Sequence, residues 1–427
     1  MREMKDSGIE WVGAIPQDWQ LSKIGSLYTR RNEKVSDKDY QPLSVTMQGI
    51  LPQLATAAKT DDGDNRKLVR VGDFAINSRS DRRGSCGISP LDGSVSLINI
   101  ILTPRTAMHP GYYNWLFHTT LFADEFYKWG HGIVADLWTT RWQEMKSITV
   151  PVPEYAEQER IAAFLDAECA EIDAVLEKTR ASIEEYKKLK QAVITQAVTK
   201  GIRGDRPMKD SGIEWIGDIP AEWKVNLIKN VATTGSGGTP ESGNPSLYDG
   251  DINWICSYDL KERPITKSER RLTQLGADSI AGNVQLKGSV LVAMYGGSGT
   301  IGNSGILECE AKTNQAICSI KFNNGYITDY FGFYYILSIR KYWMIFAVGT
   351  RKDPNISQDI VRKMPCILPP IAEQEEIVAY CNKACDQLDT LITKKQQYLT
   401  EIENYKKSLI YEYVTGKKEV KTSVLAD

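Results

Sequence analysis

Two segments of the chain have the hydrophobic spacing of long amphipathic helices. In both, packed positions recur at alternating intervals of four and three residues, which is the pattern of a coiled-coil seam. Because each segment has a single apolar stripe, each needs a partner, and the other segment, packed antiparallel, would serve both. Rods of about 40 residues would each be about 60 Å long. The seam positions that we predict to pack are Leu165, Ile172, Leu176, Ile183, Tyr186, Val193, Leu388, Ile392, Leu399, Ile402 and Leu409.

Prolines and glycines mark the ends of these two predicted helices. Proline is tolerated only at or before the first turn of a helix, and glycine commonly follows the last turn. We therefore place the helical segments at residues 151–201 and 367–418, followed by a tail at 419–427. The residues concerned are Pro151, Pro153, Pro369 and Pro370 before the starts, and Gly201 and Gly416 after the ends.

The rest of the chain alternates short runs of β-branched and aromatic residues with Gly, Asn and Asp. Such runs predict strands separated by turns. These elements predict a mixed α/β fold for the domain at residues 1–150 and again for the domain at residues 202–366. The predicted strands include residues 73–77, 94–102, 289–295 and 315–322, and helices are expected around 112–129 and 328–346.

Each half of the chain repeats two segments. Residues 4–19 read MKDSGIEWVGAIPQDW and residues 208–223 read MKDSGIEWIGDIPAEW, identical at 12 of 16 positions. A second match, between PEYAEQER at 153–160 and PPIAEQEE at 369–376, continues without a gap through both predicted helices. The chain is therefore an internal duplication of shared segments around two divergent domains, which a pseudo-twofold axis would relate.

Composition narrows the class of protein. The chain is 42% hydrophobic and 25% charged, and no apolar run approaches the roughly 18 residues that span a membrane. The charged N-terminus has no apolar signal segment, so we expect a cytoplasmic protein without a membrane partner. The eight cysteines form no CxxC pair and only three histidines accompany them. We interpret them as reduced core thiols and expect no metal site.

The charge distribution argues against non-specific coating of nucleic acid. The net charge is -2, whereas phosphate neutralisation needs clustered Lys and Arg. Both divergent domains nevertheless have a slight excess of basic residues, and both helical segments a slight excess of acidic ones. DNA affinity would therefore depend on a few placed groups or on a partner.

The order of these parts resembles the specificity subunit (HsdS) of type I restriction-modification enzymes, over essentially the whole chain. The repeated IEWxGxIPxxW openings and the PxxAEQExI entries into long helices carry the match. In the second divergent domain, GGTP at 237–240, GTIG at 299–302, TNQA at 313–316 and GTR at 349–351 fit one recognition class. The first divergent domain departs from that class, with NSRSDRRG at 77–84 where the second has AMYGGSG at 293–299.

The resemblance implies a subunit that reads a bipartite DNA target, with one half-sequence for each divergent domain. It also implies two methyltransferase (HsdM) subunits on the helical frame and ATP-dependent translocase/nuclease (HsdR) subunits that join for cleavage. Neither catalysis nor a cofactor would belong to this chain itself.

Candidate DNA contacts follow from the chemistry of base recognition. Arginine pairs with guanine, Asn and Gln with adenine, and Ser and Thr are adaptable. In the first domain we select Gln48, Asn77, Ser78, Arg79, Ser80, Arg82, Arg83, Trp138 and Arg141. In the second we select Ser257, Tyr258, Lys261, Arg263, Tyr295, Gly296, Ser298, Thr300, Arg351 and Lys352. The basic run Lys261, Arg263, Lys267, Arg270 and Arg271 would suit phosphates, although such runs are usually solvated surface.

Other classes of protein fit less well. The methyltransferase tetrapeptide is approached only by NPSL at 244–247, no GxxxxGK[ST] loop exists, and EAK at 310–312 is half of a nuclease motif. A transcription regulator would usually show a helix-turn-helix and dimerise, and a coiled-coil scaffold would not need two divergent domains. A transcription regulator and a coiled-coil scaffold remain as alternatives. Selection of a split DNA site would distinguish a specificity subunit from both.

Overall fold

The computed structural model describes residues 2–53, 62–132, 138–347 and 354–420, without the Ser298 side chain. Its helices are α1 (Ile24–Leu27), α2 (Pro110–Phe117), α3 (Thr120–Lys128), α4 (Trp142–Met145), α5 (Tyr155–Lys200), α6 (Ile228–Val231), α7 (Gln274–Asp278), α8 (Gly297–Thr300), α9 (Asp329–Ser338), α10 (Gln358–Lys363) and α11 (Ile371–Val414). Short 3-10 helices cover Ser80–Arg82, Pro245–Leu247, Ser257–Asp259 and Arg340–Ile345.

Contacts divide the chain into two units. The first unit is Met1–Arg180 together with Gln397–Asp427, and the second is Ala181–Gln396. The predicted boundaries followed chain order, whereas the last part of α11 belongs to the first unit. Each unit therefore contains one divergent domain and a stretch of both long helices.

The strands of the first unit are β1 (Met4–Asp6), β2 (Ala14–Pro16), β3 (Gln20–Lys23), β4 (Tyr28–Arg31), β5 (Lys34–Val35), β6 (Leu43–Thr46), β7 (Gly49–Pro52), β8 (Arg66–Val69), β9 (Phe74–Asn77), β10 (Cys86–Ile88), β11 (Gly93–Val95), β12 (Asn99–Pro104) and β13 (Thr149–Val152). Those of the second unit are β14 (Met208–Asp210), β15 (Asp218–Pro220), β16 (Lys224–Leu227), β17 (Ala232–Ser236), β18 (Tyr248–Ile255), β19 (Pro264–Ile265), β20 (Arg271–Leu272), β21 (Val290–Ala293), β22 (Ser304–Leu307), β23 (Lys312–Thr313), β24 (Ile317–Phe322) and β25 (Pro365–Leu368).

The two units contain the same antiparallel core. In the first unit the hydrogen-bonded order is β10-β9-β12-β4, and in the second it is β22-β21-β24-β17, with β19 added in parallel to β22. Two further pairs also correspond, β13-β3 with β25-β16 and β1-β2 with β14-β15. The mixed α/β class is confirmed. The divergent domains share a topology that is not evident from their sequences.

Three predicted elements are broken in the structure. The predicted strand 94–102 is two strands, β11 and β12, which lie in different sheets on either side of a turn. The predicted helix 112–129 is α2 followed by α3, because the Thr119 hydroxyl accepts a hydrogen bond from Phe122 N at 3.2 Å and starts a new helix. The predicted helix 328–346 likewise ends as α9, and a 3-10 helix continues it.

Large aromatic side chains fill the core of each unit. In the first unit, Trp19, Tyr112 and Phe117 pack in one cluster with Leu165 of α5 and Leu409 of α11. Burial of such side chains contributes most of the stability of a domain this size. The long helices are thus part of the core.

In the first unit, α5 and α11 pack side by side and antiparallel. Arg180 Nη2 lies 2.6 Å from Glu403 Oε1, and Lys406 Nζ lies 2.6 Å from Asp173 Oδ1. Residue numbers therefore rise along one helix as they fall along the other. Exposed ion pairs contribute at most about 1 kcal/mol each, so the apolar seam supplies most of the stability.

The second unit repeats this arrangement. Lys190 Nζ lies 2.6 Å from Asp389 Oδ2, and Lys395 Nζ lies over the ring of Tyr186. All of the seam positions predicted above are buried or half-buried within their units. Over the described ranges, no helix is both long and apolar enough to cross a bilayer.

Candidate nucleic-acid interface

A Trp–Glu–Arg cluster joins the second repeated opening to the start of α11. Trp223 Nε1 donates to Glu373 Oε2 at 2.9 Å, and Arg206 Nη1 lies 2.6 Å from Glu373 Oε1. The Arg206 guanidinium also lies over the Trp223 ring, 5.2 Å from its centre. Glu373 is 1% exposed, so its charge depends on these two partners.

The first unit contains the same cluster. Trp19 Nε1 donates to Glu157 Oε2 at 2.9 Å, and Arg2 pairs with Glu157 and stacks over Trp19. The sequence interpretation missed both arginines. Extending the repeat by two residues, from REMK at 2–5 to RPMK at 206–209, would have found them.

The glutamine of each AEQE motif ties its long helix to the divergent domain. Gln158 Oε1 accepts from His109 N at 2.9 Å, and Gln374 Oε1 accepts from Thr328 N at 2.8 Å. In both cases Nε2 donates to the carbonyl five residues earlier. The motif therefore fixes the domain against the helix in each unit.

In each unit, the repeated opening segment or its domain also contacts the C-terminal end of the long helix that begins in the other unit. In the first unit, Lys417 Nζ donates to Val12 O at 2.6 Å and Tyr112 OH to Val414 O at 2.8 Å, both at the end of α11. In the second unit, Lys200 Nζ at the end of α5 donates to Ile216 O at 3.2 Å. The shared segments thus form a frame on which each divergent sheet is mounted.

The loops selected as candidate DNA contacts follow the same central strand in both units. The first reading loop, residues 78–85, follows β9 and is called the arginine loop. The second reading loop, residues 294–303, follows β21. Thr140 N donates to Ser78 O at 2.9 Å, and Ile356 N donates to Met294 O at 3.0 Å. An isolated β-bridge beside each of these bonds pairs the next residue of the loop with the same partner segment. The two loops are therefore structural equivalents.

At the junction of β9 and the first loop, Asn77 and Ser78 are buried rather than projecting. Asn77 Oδ1 accepts from Arg79 N at 3.1 Å, and the Ser78 hydroxyl donates to the carbonyl oxygen of Ile98. The Asn77 side-chain oxygen and the Ser78 hydroxyl are therefore occupied within the unit. This arrangement favours a role in shaping the loop over a role in base contact.

The arginines of the first loop are exposed to different degrees. Arg82 is 68% exposed, and Arg79 Nε lies 3.2 Å from Asp81 Oδ1. Arg83 pairs with Asp124 and lies over a tyrosine ring. Arg82 therefore has the guanidinium most accessible to a ligand.

Two other predicted residues lie beside this loop. Ser80 N donates to Trp138 O at 2.9 Å, and the Trp138 ring is partly exposed, so the structure brings these two segments together. Arg141 is exposed at the start of α4, where its N–H donates to Glu144 Oε2 at 3.0 Å.

Gln48 lies exposed at the tip of the β6–β7 hairpin. The hairpin packs closely on β10, because a Cβ added to Gly87 would lie 2.9 Å from Gly49 Cα. The hairpin therefore holds Gln48 near β10, the strand that begins where the loop of residues 78–85 ends.

In the second unit, Tyr258 and Arg270 form a stacked pair. The Arg270 guanidinium lies 5.9 Å from the centre of the Tyr258 ring, which is 43% exposed. Burial and the neighbouring Cys256 raise the pKa of Tyr258 to about 12, so it remains a neutral hydroxyl donor. Ser257 precedes the pair in a 3-10 turn and is half-buried.

The basic residues around this pair lie at the surface. Lys261 Nζ is 3.8 Å from Glu269 Oε1, and Arg263 is exposed. Lys267 and Arg271 are exposed as well. These positions suit phosphate contacts, which orient a protein on DNA without reading sequence.

The backbone of the second reading loop adopts, at Gly296, a conformation that glycine tolerates and other residues rarely adopt. Gly296 has φ of +104°, Tyr295 is 43% exposed, and Thr300 is half-buried next to the glycine. The Ser298 side chain, Arg351 and Lys352 lie outside the described residues.

The motifs of the recognition class contact one another. Gly238 N donates to Thr313 O at 3.0 Å, and the Thr239 hydroxyl donates to Gln315 Oε1 at 2.6 Å. A Cβ on Gly237 would overlap the Thr313 carbonyl oxygen. GGTP and TNQA are therefore two sides of one packed contact, which explains why both occur in one domain.

The lysine of the enzyme-like EAK motif, and most of the cysteines, are packed within the fold. Lys312 of the EAK motif is buried and donates to Gly282 O at 2.6 Å, so it does not face a cluster of acids. Among the described residues, no group of three or more His, Cys, Asp or Glu could hold a metal ion. Burial raises the pKa of the Cys86 and Cys318 thiols to about 12, so both stay protonated.

Comparison with known proteins agrees with this architecture. A family model described as the type I restriction modification DNA specificity domain matches residues 220–404. The type I restriction enzyme MjaVIII specificity subunit of Methanocaldococcus jannaschii is 23% identical, over 95% of this chain and 94% of the relative. The EcoKI specificity subunit of Escherichia coli K12 is 20% identical, over 95% and 90%.

Residues 220–404 thus match the type I DNA specificity domain, and the chain is similar over 95% of its length to relatives that are type I restriction enzyme specificity subunits. A chain in a solved structure of the type I R-M system has the same fold, with a TM-score of 0.73, 14% identity, and coverage of 95% of this chain and 99% of that one. In this chain, the repeated motifs build the frame, and the loops after β9 and β21 differ between the units.

Proposed function

We propose that this specificity subunit reads a split DNA target, one half-site for each unit, without a catalytic step of its own. One observation carries the proposal: the same four-stranded core supports a different loop at the same place in each unit. The first loop offers arginines, and the second offers glycines with Tyr295. A shared frame with unlike side chains is what recognition of two unrelated half-sites requires.

The exposed side chains have the chemistry of base recognition. A guanidinium such as that of Arg82 can donate two hydrogen bonds to the O6 and N7 atoms of guanine in the major groove. The stacked Tyr258 and Arg270 present a hydroxyl and a guanidinium together in the other unit. Each well-formed pair with a base distinguishes it from the wrong one by about 1–3 kcal/mol.

The partners follow from the type I assignment. We propose that two methyltransferase subunits bind the shared segments, that ATP-dependent translocase/nuclease subunits join them for cleavage, and that the assembly acts on cytoplasmic DNA. Each divergent domain has only a slight excess of basic residues, so this chain alone could neutralise few phosphates. This supports a contribution of the partner subunits to DNA binding.

The decisive experiment is a map of methylated bases in a host that expresses the chain with type I methyltransferase subunits. We expect one split motif to be methylated. Replacing residues 20–150 with the corresponding domain of another family member should change only one half of it. A change in both halves would contradict the assignment of one half-site to each unit.

A gel shift of the purified complex on random DNA separates the other functions. Selection of a split site supports the proposed recognition of two half-sites. Selection of one short site without methylation would point to a regulator, and no selection at all would point to a scaffold.

A further inference from the structure

The turn between β11 and β12 exposes two apolar residues beside the arginine loop. Leu97 and Ile98 are 38% and 39% exposed. The central positions of tight turns are normally Gly, Asn, Asp or Ser, which tolerate the backbone and prefer water. Two large aliphatic side chains at such a position leave more than a third of their surface in water.

Buried polar groups hold this turn in place. Asn99 N donates to Ser96 O at 3.1 Å and closes the turn, while Ser78 of the arginine loop donates from its N–H to Ile98 O at 3.3 Å. Lys67, which is 7% exposed, donates to Asn99 O at 2.5 Å. The turn is therefore fixed directly to the loop that we propose to read DNA.

The second unit has the same turn with different chemistry. Ile317 N donates to Asn314 O at 3.3 Å, and Met294 N of the second loop donates to Ala316 O at 2.7 Å. The exposed residue at its centre is Gln315, whose Oε1 accepts from the Thr239 hydroxyl and whose Nε2 can donate to a base edge. One structural position thus presents an aliphatic pair in one unit and an amide in the other.

We propose that Leu97 and Ile98 form an apolar contact for the C5-methyl group of a thymine in the half-site read by the first unit. The methyl group of thymine is the apolar feature of the major groove, and aliphatic side chains contact it. The neighbouring arginines would draw the DNA to this surface. The inference rests on the proposed function and adds a base to it.

The test uses the purified complex and duplex DNA that carries the mapped target, with deoxyuridine replacing each thymine of the first half-site in turn. This exchange removes only the methyl group. At one replaced position we expect binding about fourfold weaker, the value of one buried methyl group. The variant Leu97→Ala/Ile98→Ala should bind the thymine and deoxyuridine duplexes equally.

Val71→Ala is the matched control, because Val71 is 65% exposed on a different turn of the same unit and should leave the thymine preference intact. The inference is overturned if the first half-site contains no thymine, if deoxyuridine binds as well as thymine in the wild type, or if the double variant keeps the preference. The wild-type comparison alone decides the matter should the double variant fold poorly. Absence of any selected DNA site would instead refute the proposed function.

Discussion

Glu373→Gln tests the frame most directly. The substitution keeps the shape of the side chain and a hydrogen bond from Trp223, but it removes the negative charge that faces Arg206. Arg206 is 12% exposed and, among the residues that the structure describes, keeps the exposed Glu222, at 3.1 Å, as its one remaining ion-pair partner. Breaking a buried pair by removing one charge costs about 3–5 kcal/mol, and the remaining partner reduces this to about 3 kcal/mol.

Glu376→Gln is the matched control on the same turns of α11. Its carboxylate pairs with Arg203 at 2.8 Å, but both side chains are about half exposed. An exposed pair of this kind contributes at most about 1 kcal/mol. Glu157→Gln in the first unit should lie between the two, because Glu157 is 13% exposed.

Native-state hydrogen exchange of peptides at the helix starts measures these costs locally, which avoids assuming that both units unfold together. We expect the free energy of opening at residues 371–380 to fall most in Glu373→Gln. Adding Arg206→Met to that variant should recover part of the loss, since the uncompensated charge is removed. Equal losses in Glu373→Gln and Glu376→Gln would refute the reasoning.

Two further predictions concern the divergent domains. Burial lowers the pKa of Lys67 from its ordinary value of 10.5 to about 8, so the unfolded chain binds this proton more tightly. Resistance of the first unit to urea should therefore rise between pH 8 and pH 10, and Lys67→Met should flatten that rise; an unchanged profile would contradict the burial argument. Gly237→Ala should open the contact with Thr313 and raise exchange at residues 312–316, whereas Gly243→Ala, where a Cβ meets nothing within 4 Å, should not.

The long helices and the repeat could be predicted because their signals are local. A stripe such as Leu165, Leu176 and Ile183 needs only helical periodicity to be recognised, and its residues are buried in the structure. Repetition of the AEQE motif likewise indicated a shared role. That role, in which Glu373 holds Trp223 and Arg206, depends on residues about 150 positions apart and had no local signature.

The candidate reading residues were only partly separable by sequence. Asn77 ends β9 and Arg82 lies in the loop that follows it, yet Asn77 is buried and bonded within the unit and Arg82 is exposed. Residue type could not distinguish them, because burial depends on the strands and turns packed around the loop.

The duplication, the helical seams and the mixed α/β class could be recognised from the residue pattern, since these depend on spacing between neighbours in the chain. Tertiary structure alone decided that α11 ends in the first unit, that the two divergent domains share one core, and that residues 94–102 break into two strands. The β-branched run at 94–102 favours a continuous strand locally. Hydrogen bonds from Ser78 and Lys67, which are distant in sequence, make the turn at Leu97 and Ile98 instead.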